Sequence, residues 1–410
     1  MKFWRILSIA VLTALCACTR GEMGYSYTDT SVEQRKVTIL YAPGASNISS
    51  FIAKNIVSIT KGALPYGSSR KTMLVYAHLD EGESYLRRVS SDEYGKTVED
   101  TLLTIAAGLS ASNPAVISEV LGKVAELYPP ENNSYTLILS SHGTGWLPIG
   151  AVEPDYGKSI SWDYAPKKSF GSEKIDGVVY DISIHDLAEA IPMKLDCLIF
   201  DACLMGCVEV AYEFKDKVIK MCCSPAEVPG NGYVYTNLGE DLLSDSATPE
   251  SVSKAFFEHY RTALETGVPG EDSFYGATST TVDCTKMEPL AQLCKTLFQK
   301  YRSAIAALDY NTVQRYYRID SSVNYYRDFF DLEDILLKAG ITSEEHSQLE
   351  QALAQCITYK DATSHFMKNY GGFEINVYSG LSMYLPCKGN ADLDAFYKTL
   401  EWNKATKLVE

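Results

Sequence analysis

Short apolar runs bounded by turn residues alternate with amphipathic segments through the first half of the chain. The alternation of strand and helix predicts an α/β fold, a mostly parallel sheet flanked by helices. Runs with the length and composition of buried strands lie at 37–41, 72–79, 135–140, 195–200 and 217–223. Helices, indicated by apolar residues at helical spacing, are predicted at 49–61, 113–128, 183–190 and 207–214.

Beyond Pro229 the pattern changes to longer amphipathic helices. We therefore divide the chain into an α/β core, residues 37–245, and a helix-rich C-terminal part, residues 246–410, that completes the fold. The elements predicted in the second part are helices at 249–264, 288–308 and 393–400, a strand at 277–282, and a closing hairpin of 373–378 with 381–385.

The N-terminus has the features of an export signal. Lys2 and Arg5 precede the apolar stretch 6–14, which is too short to span a membrane as a helix. The segment that follows, up to residue 36, is polar and predicts a linker rather than part of the folded domain.

The end of this signal carries a second pattern. Leu15-Cys16-Ala17-Cys18 resembles the lipobox of bacterial lipoprotein signals. We therefore expect residues 1–17 to be removed, Cys18 to carry lipid, and 18–36 to link the lipid to the domain. The protein is then predicted to be anchored to the bacterial cell envelope, in the periplasm or on the cell surface. An ordinary secretory signal with incidental cysteines is the alternative.

The chain is acidic, with a formal net charge of −15. Loss of the signal would remove two basic residues and no acid, which makes the mature chain still more negative. The sequence has no basic run interleaved with aromatic residues, so nucleic-acid binding is not expected. A surface of this charge attracts cationic substrates over about 8–10 Å at physiological salt.

Eleven cysteines raise the question of disulfides in an exported protein. Outside the signal, most lie in apolar strand or helix patterns, where free cysteine packs as a small hydrophobic residue. Cys203 with Cys207, and Cys222 with Cys223, have no further ligand at zinc-site spacing. The sequence favours buried, reduced thiols over disulfides or a metal cluster.

Two of the predicted strands end in reactive side chains. His142 follows the strand at 135–140, and Cys203 follows the strand at 195–200. Functional sites of open α/β sheets lie outside the carboxyl ends of the strands, so we expect the imidazole and the thiol to meet there. A helix after Cys203 would lower the pKa of the thiol and supply N–H groups for an oxyanion. A core cysteine and a turn histidine are the alternative.

Asp201 precedes Cys203 by two positions. Residues i and i+2 of an extended segment face the same side, so this carboxylate is expected beside the thiol, placed to bind arginine or lysine. The alternative is a structural carboxylate that caps the following helix.

Two longer motifs resemble the active-site blocks of the clostripain family of cysteine peptidases. They are Ser140-Ser141-His142-Gly143-Thr144-Gly145-Trp146 and Phe200-Asp201-Ala202-Cys203-Leu204-Met205-Gly206. Pro229-Gly230-x-Gly232-Tyr233-x-Tyr235 and Gly380-Leu381-Ser382-Met383-Tyr384-Leu385-Pro386 agree with the family in matching order. The resemblance implies the caspase-like α/β fold that this family shares with gingipains, legumains and caspases.

The resemblance also implies roles for these residues. His142 would be the general acid/base and Cys203 the nucleophile, with the N–H groups of Gly143 and Cys203 as the oxyanion hole. Specificity would be for a basic residue on the acyl side of the cut bond, bound by Asp201 and by Glu227 as a second acid. The chain departs from the family's pattern around Glu227, with Ala226 before it and Tyr233 where a tryptophan is expected, which leaves arginine against lysine open.

Family members are often processed by cutting themselves between the two blocks. The long segment 143–177 contains candidate sites for such self-cleavage at Lys158 and Lys168, and a lysine-bearing hairpin is the alternative. Calcium dependence is known in the family, but the chain has no EF-hand-like loop, so no cofactor is assigned and calcium stays open.

Taken with the signal, the motifs predict an exported, lipid-anchored cysteine endopeptidase that acts on proteins or peptides, basic at the cleavage site, through a Cys203 thioester. A catalytically silent, caspase-like peptide-binding lipoprotein is one alternative. A transpeptidase that uses the same two residues is the other.

Overall fold

The computed structural model describes residues 35–62, 64–67, 70–148, 170–267, 272–318, 328–386 and 390–410. The strands are β1 Arg35–Pro43, β2 Lys71–His78, β3 Ser84–Ser91, β4 Thr97–Ile105, β5 Asn133–Ser140, β6 Phe170–Ile175, β7 Val178–Ile182, β8 Leu195–Asp201, β9 Val218–Cys223, β10 Thr278–Asp283, β11 Phe330–Asp331, β12 Ile357–Ala362, β13 His365–Phe366, β14 Phe373–Glu374 and β15 Ser382–Met383. The helices are α1 Ser49–Ile59, α2 Pro114–Leu127, α3 Ile184–Ala190, α4 Val208–Glu213, α5 Tyr235–Leu243, α6 Pro249–Thr266, α7 Met287–Ala306, α8 Leu332–Lys338, α9 Ser343–Cys356, α10 Ala391–Tyr397 and α11 Glu401–Thr406.

A nine-stranded sheet organises these elements, in the order β12-β10-β9-β8-β5-β1-β2-β3-β4. The five central strands, from β9 to β2, are parallel to one another. Antiparallel strands close both sides, β10 and β12 beyond β9 and the β3–β4 hairpin beyond β2. The predicted α/β fold with a mostly parallel sheet is confirmed.

The central strands are apolar because both faces of the sheet are covered. In β5, Leu137 and Leu139 belong to the apolar cluster on one face, whereas Ile138 belongs to the cluster on the other. Side chains of α2, α4 and α7 contribute to the first cluster, and side chains of α5 and α6 to the second. A strand buried on both faces has no polar alternation, which is why these runs could be recognised in the sequence.

The boundaries of two helices follow from local capping chemistry. The Asn113 side chain accepts a hydrogen bond from the amide of Ala115, and Pro114 occupies the first turn of α2. α6 begins in the same way, with a capping box of Thr248 and Ser251 around a proline. Both helices start where the sequence predicted.

Two parts of the prediction were incomplete or wrong. The β3–β4 hairpin was missed, since β4 is largely exposed and carries no apolar run. The closing hairpin of 373–378 with 381–385 is wrong: β14 pairs with β13, and β15 pairs with β11. These two-residue strands are held by distant segments rather than by each other.

The C-terminal part is integrated with the core. β10 and β12 extend the same sheet as β9, and Arg35–Glu410 form one compact unit. None of the described helices combines the length and the hydropathy needed to cross a bilayer. The described cysteines, eight in number, are all free, and every one but Cys203 is buried, in line with the predicted reduced thiols. Cys18 lies outside the described residues.

Candidate active site

His142 and Cys203 each follow a parallel strand at the same distance from its end. β5 ends at Ser140 and β8 at Asp201, and these two residues pair in register. The two turns therefore leave the carboxyl edge of the sheet side by side, where sites of open α/β sheets lie. The predicted placement of the imidazole and the thiol on neighbouring strand ends is confirmed.

The backbones of the two turns are in direct contact at Gly143. A Cβ atom at this position would lie 2.5 Å from the carbonyl oxygen of Cys203 and 2.9 Å from Cβ of Ala202. Only glycine permits this approach. Within the described chain, neither the Gly143 amide nor the Cys203 amide donates to a backbone carbonyl.

The Cys203 thiol is covered by the loop that follows β9. Its Sγ lies 3.3 Å from the Val228 amide nitrogen and 3.6 Å from the Val228 carbonyl oxygen, and the residue is half-buried. Burial, followed by the negative charge of Glu227, raises the pKa of the thiol to about 12. The expected lowering of this pKa is wrong, because α4 begins only at Val208 and the loop shields the sulfur.

The residue after the thiol has a left-handed backbone. Leu204 adopts a φ of 63°, a conformation that is strained for a branched side chain. Two hydrogen bonds to the covering loop hold it, from the Leu204 amide to the Ala226 carbonyl at 3.0 Å and from the Gly206 amide to the Ser224 carbonyl at 2.9 Å. The turn after Cys203 is thus tied to the loop that covers the thiol.

The imidazole is oriented by a residue that the sequence did not single out for this role. Nε2 of His142 lies 2.8 Å from Oδ1 of Asn47, which follows β1 at the same sheet edge. An amide oxygen only accepts hydrogen bonds, so in this contact Nε2 is the donor and the ring is held by Asn47. Asn47 does not cap the helix that follows, since α1 begins at Ser49 and has no side-chain cap.

Asp201 lies beneath the site and is buried. Its Oδ2 accepts hydrogen bonds from Ser140 Oγ at 2.8 Å and Tyr235 OH at 2.6 Å. Burial raises the pKa of the carboxyl, and these hydrogen bonds oppose the shift. The alternative of a helix cap is wrong, since α4 has no side-chain cap, while the role of Asp201 in substrate binding stays a prediction.

Glu227, the second predicted acid, is paired within the chain. Arg318 donates from Nε to Oε2 at 2.5 Å and from a terminal nitrogen to Oε1 at 3.1 Å. The two side chains are equally exposed, at 21%. Nothing in the sequence could link these residues, because they are separated by 91 positions.

The segment between the two active-site blocks re-enters the described structure as the β6–β7 hairpin. The Gly171 amide donates to the carbonyl oxygen of His142 at 3.0 Å. Glu173 is fully buried and accepts hydrogen bonds from the His78 ring at 2.6 Å and Ser110 Oγ at 2.6 Å, which fixes the hairpin to the sheet edge. His78 is thus structural. Lys158 and Lys168 lie outside the described residues.

One group of described side chains has a spacing that suits a metal ion. Glu333, His346 and Glu350, on α8 and α9, place their ligand atoms within 4.8 Å of one another. None of them belongs to the turns that carry His142 and Cys203.

The chain as a whole resembles known proteases. A model of the Clostripain family, peptidase family C11, matches residues 40–408. The structure is similar to that of a secreted C11 cysteine protease from Bacteroides thetaiotaomicron in complex with an irreversible peptide inhibitor, with a TM-score of 0.74 and 20% identity over 91% of this chain and 99% of that one. At that identity the likeness shows the fold.

A second solved structure matches with the same TM-score. An inactive zymogen C11 protease from Parabacteroides distasonis has a TM-score of 0.74 and 25% identity, over 91% of this chain and 98% of that one. No curated protein sequence is significantly similar to the chain.

Proposed function

Because the chain belongs to the clostripain family, we propose that it is a cysteine endopeptidase with Cys203 as nucleophile and His142 as general acid/base. One observation carries the proposal. The Cys203 turn and the His142 turn leave neighbouring parallel strands in register, and among the described residues the amides of Gly143 and Cys203 donate to no backbone carbonyl. A thiol, an imidazole and two N–H groups are what acyl transfer from a peptide requires.

In the proposed reaction, the Cys203 thiol gives its proton to the imidazole of His142 while the sulfur attacks the carbonyl carbon. The oxyanion that forms accepts hydrogen bonds from the amides of Gly143 and Cys203. Collapse of this intermediate expels the amine, which takes the proton from His142 and leaves a thioester. Water then attacks the thioester with His142 as the base, which releases the acid and restores the thiol.

The high pKa of the thiol bears on the first step. A sulfur with a pKa of about 12 is protonated at neutral pH, so attack needs a base at the moment of reaction. Asn47 supports that role, because its contact with Nε2 holds the His142 ring in place.

We extend the proposal to basic residues on the acyl side of the cut bond. Asp201 and Glu227 place two carboxylates beside the Cys203 turn, and both raise the pKa of its thiol electrostatically. The overall negative charge favours cationic substrates in the same direction. Export, a lipid on Cys18 and self-cleavage at Lys158 or Lys168 belong to the same proposal and rest on the sequence.

Turnover of fluorogenic peptides that end in Arg or Lys tests the reaction. We expect Cys203→Ala and His142→Ala each to lose at least about 10³-fold in kcat/KM. Cys356→Ala, a cysteine at the end of α9, is the matched control and should keep its activity. Wild-type turnover in Cys203→Ala would refute the proposal.

The same assay separates the alternatives. Peptide binding without cleavage by the wild type would indicate a silent binding module, and transfer of the acyl group to an added amine would indicate a transpeptidase. Mass spectrometry of the wild type and of Cys203→Ala would show whether the chain cuts itself after Lys158 or Lys168. Asp201→Asn, which keeps the size of the side chain, should reduce turnover of basic substrates more than that of neutral ones.

A further inference from the structure

The Glu227 carboxylate, offered above as a binding group for a basic substrate, is engaged by a cation of the chain itself. Arg318 donates two hydrogen bonds to it, one from Nε at 2.5 Å and one from a terminal nitrogen at 3.1 Å. A substrate arginine would bind the same carboxylate with this bidentate geometry. With 21% of each side chain exposed, the pair lies at the border of solvent rather than in the core.

The segment that presents Arg318 is anchored. The Tyr316 amide donates to the carbonyl oxygen of Phe329 at 3.0 Å, and its hydroxyl donates to Asp331 at 2.7 Å. Tyr317 is buried and packs edge-on against Phe330. Arg318 therefore follows a well-anchored stretch of backbone, and its contact with Glu227 is part of the folded structure.

The pair also lies close to the thiol. Val228, next to Glu227 in the chain, contacts Sγ of Cys203 through both its amide nitrogen and its carbonyl oxygen. The charges of Glu227 and Arg318 both act on the pKa of Cys203, in opposite directions. A ligand side chain that reaches Glu227 from the scissile bond therefore meets Arg318 there.

We propose that Arg318 is a built-in competitor for the basic side chain of the substrate, which must displace it from Glu227 to bind. The inference rests on the proposed peptidase function and adds a specificity rule to it. A substrate arginine replaces one bidentate ion pair on Glu227 with another, so little binding free energy is lost in the exchange. A substrate lysine replaces the bidentate ion pair with the contact of a single ammonium group, so its exchange is less favourable.

The rule predicts the outcome of removing the competitor. In the wild type, arginine substrates are preferred to lysine substrates. Arg318→Ala should raise kcat/KM for lysine peptides by about fivefold, the upper end for a partly exposed ion pair. The gain should appear in KM, should be equal for arginine peptides because they displace the same Arg318 contact, and should be absent for glutamine peptides.

The experiment compares three peptides that differ only in having Arg, Lys or Gln before the cut bond. Arg318→Ala and Arg318→Gln are assayed beside Arg88→Ala, which removes a comparable two-nitrogen contact to Asp100 on the β3–β4 hairpin. Glu227→Gln should abolish the effect of Arg318→Ala. Alkylation of Cys203 by iodoacetamide reports whether each variant keeps an intact site.

The same comparison is made by binding, on a Cys203→Ala background with the three peptides as ligands. There Arg318→Ala should lower the Kd for the lysine peptide by about fivefold and leave that for the glutamine peptide unchanged. If Arg318→Ala changes Kd equally for all three peptides, or leaves the ratio of the Kd values for the lysine and glutamine peptides unchanged, Arg318 is not a competitor, even if the wild type is an active peptidase. A wild type that cleaves none of the peptides would instead count against the proposed function, while the Kd values still decide on Arg318.

Discussion

Gly143 offers a sharp test of the contact between the His142 turn and the Cys203 turn. In Gly143→Ala the new methyl group would lie 2.5 Å from the Cys203 carbonyl oxygen, 2.9 Å from Ala202 Cβ and 3.0 Å from Met205 Sδ. Two of these neighbours belong to the backbone or its first side-chain atom, so the turns must move apart rather than adjust a flexible side chain.

The size of the effect follows from what moves. Separation of the turns displaces the Gly143 amide from the oxyanion, and loss of one such donor lowers kcat by about 10²–10³-fold. Crowding of a packed site also costs roughly 1–3 kcal/mol of folding free energy. The variant should therefore remain folded, react with iodoacetamide at Cys203, and hydrolyse peptides poorly.

Gly122→Ala is the matched control. Gly122 lies within α2, and nothing stands within 4 Å of a Cβ placed there. The same substitution should raise the free energy of unfolding by about 0.5–1 kcal/mol and leave kcat/KM unchanged. Urea denaturation measures the free energy of unfolding of both variants, and peptide turnover measures their kcat/KM. Wild-type kcat/KM in Gly143→Ala would show that the contact has no part in the reaction.

Three further predictions concern named groups. Asn47→Ala removes one hydrogen bond to the His142 ring and should lower kcat by about tenfold with little change in KM. Asn47→Asp should restore much of kcat and shift the acidic limb of the pH–kcat profile to higher pH, because a carboxylate stabilises the charged ring. An unchanged pH–kcat profile in both variants would contradict a positioning role for Asn47. The alkylation rate of Cys203 by iodoacetamide should rise about tenfold per pH unit from 7 to 10 without a plateau, since the pKa of the thiol is about 12, and a plateau near neutrality would contradict this. Burial raises the pKa of Glu209 to about 7. Between pH 4.5 and 7 the native state therefore keeps a proton that the unfolded state loses. The free energy of unfolding should fall by roughly 3 kcal/mol across this range. Glu209→Gln should flatten that dependence in urea denaturation at pH 5 and 8, and an equal slope in both proteins would refute the assignment.

The features that could be predicted are those encoded in short stretches of sequence. β5 and β8 are apolar because both faces of the sheet are buried, and each ends in turn residues. That local pattern was enough to place His142 and Cys203 on neighbouring strand ends. Asn113 and Pro114 likewise mark the start of α2 within a few residues.

The features that could not be predicted depend on contacts between distant segments. Asn47 reaches His142 across 95 positions, and Arg318 reaches Glu227 across 91. The pKa of Cys203 is raised because the loop at Val228 folds over the thiol, a contact that local helix electrostatics does not reveal. The pairing of β15 with β11 rather than with a neighbouring strand has the same origin.

The proposed reaction cuts a peptide through a thioester on Cys203. The most direct test is an acid-quenched reaction with a lysyl or arginyl ester, followed by mass spectrometry of the digested protein. An acyl group is expected on the peptide that contains Cys203, and it should disappear on treatment with hydroxylamine and be absent from Cys203→Ala. Steady turnover with no adduct at Cys203, or with an adduct on another cysteine, would contradict it.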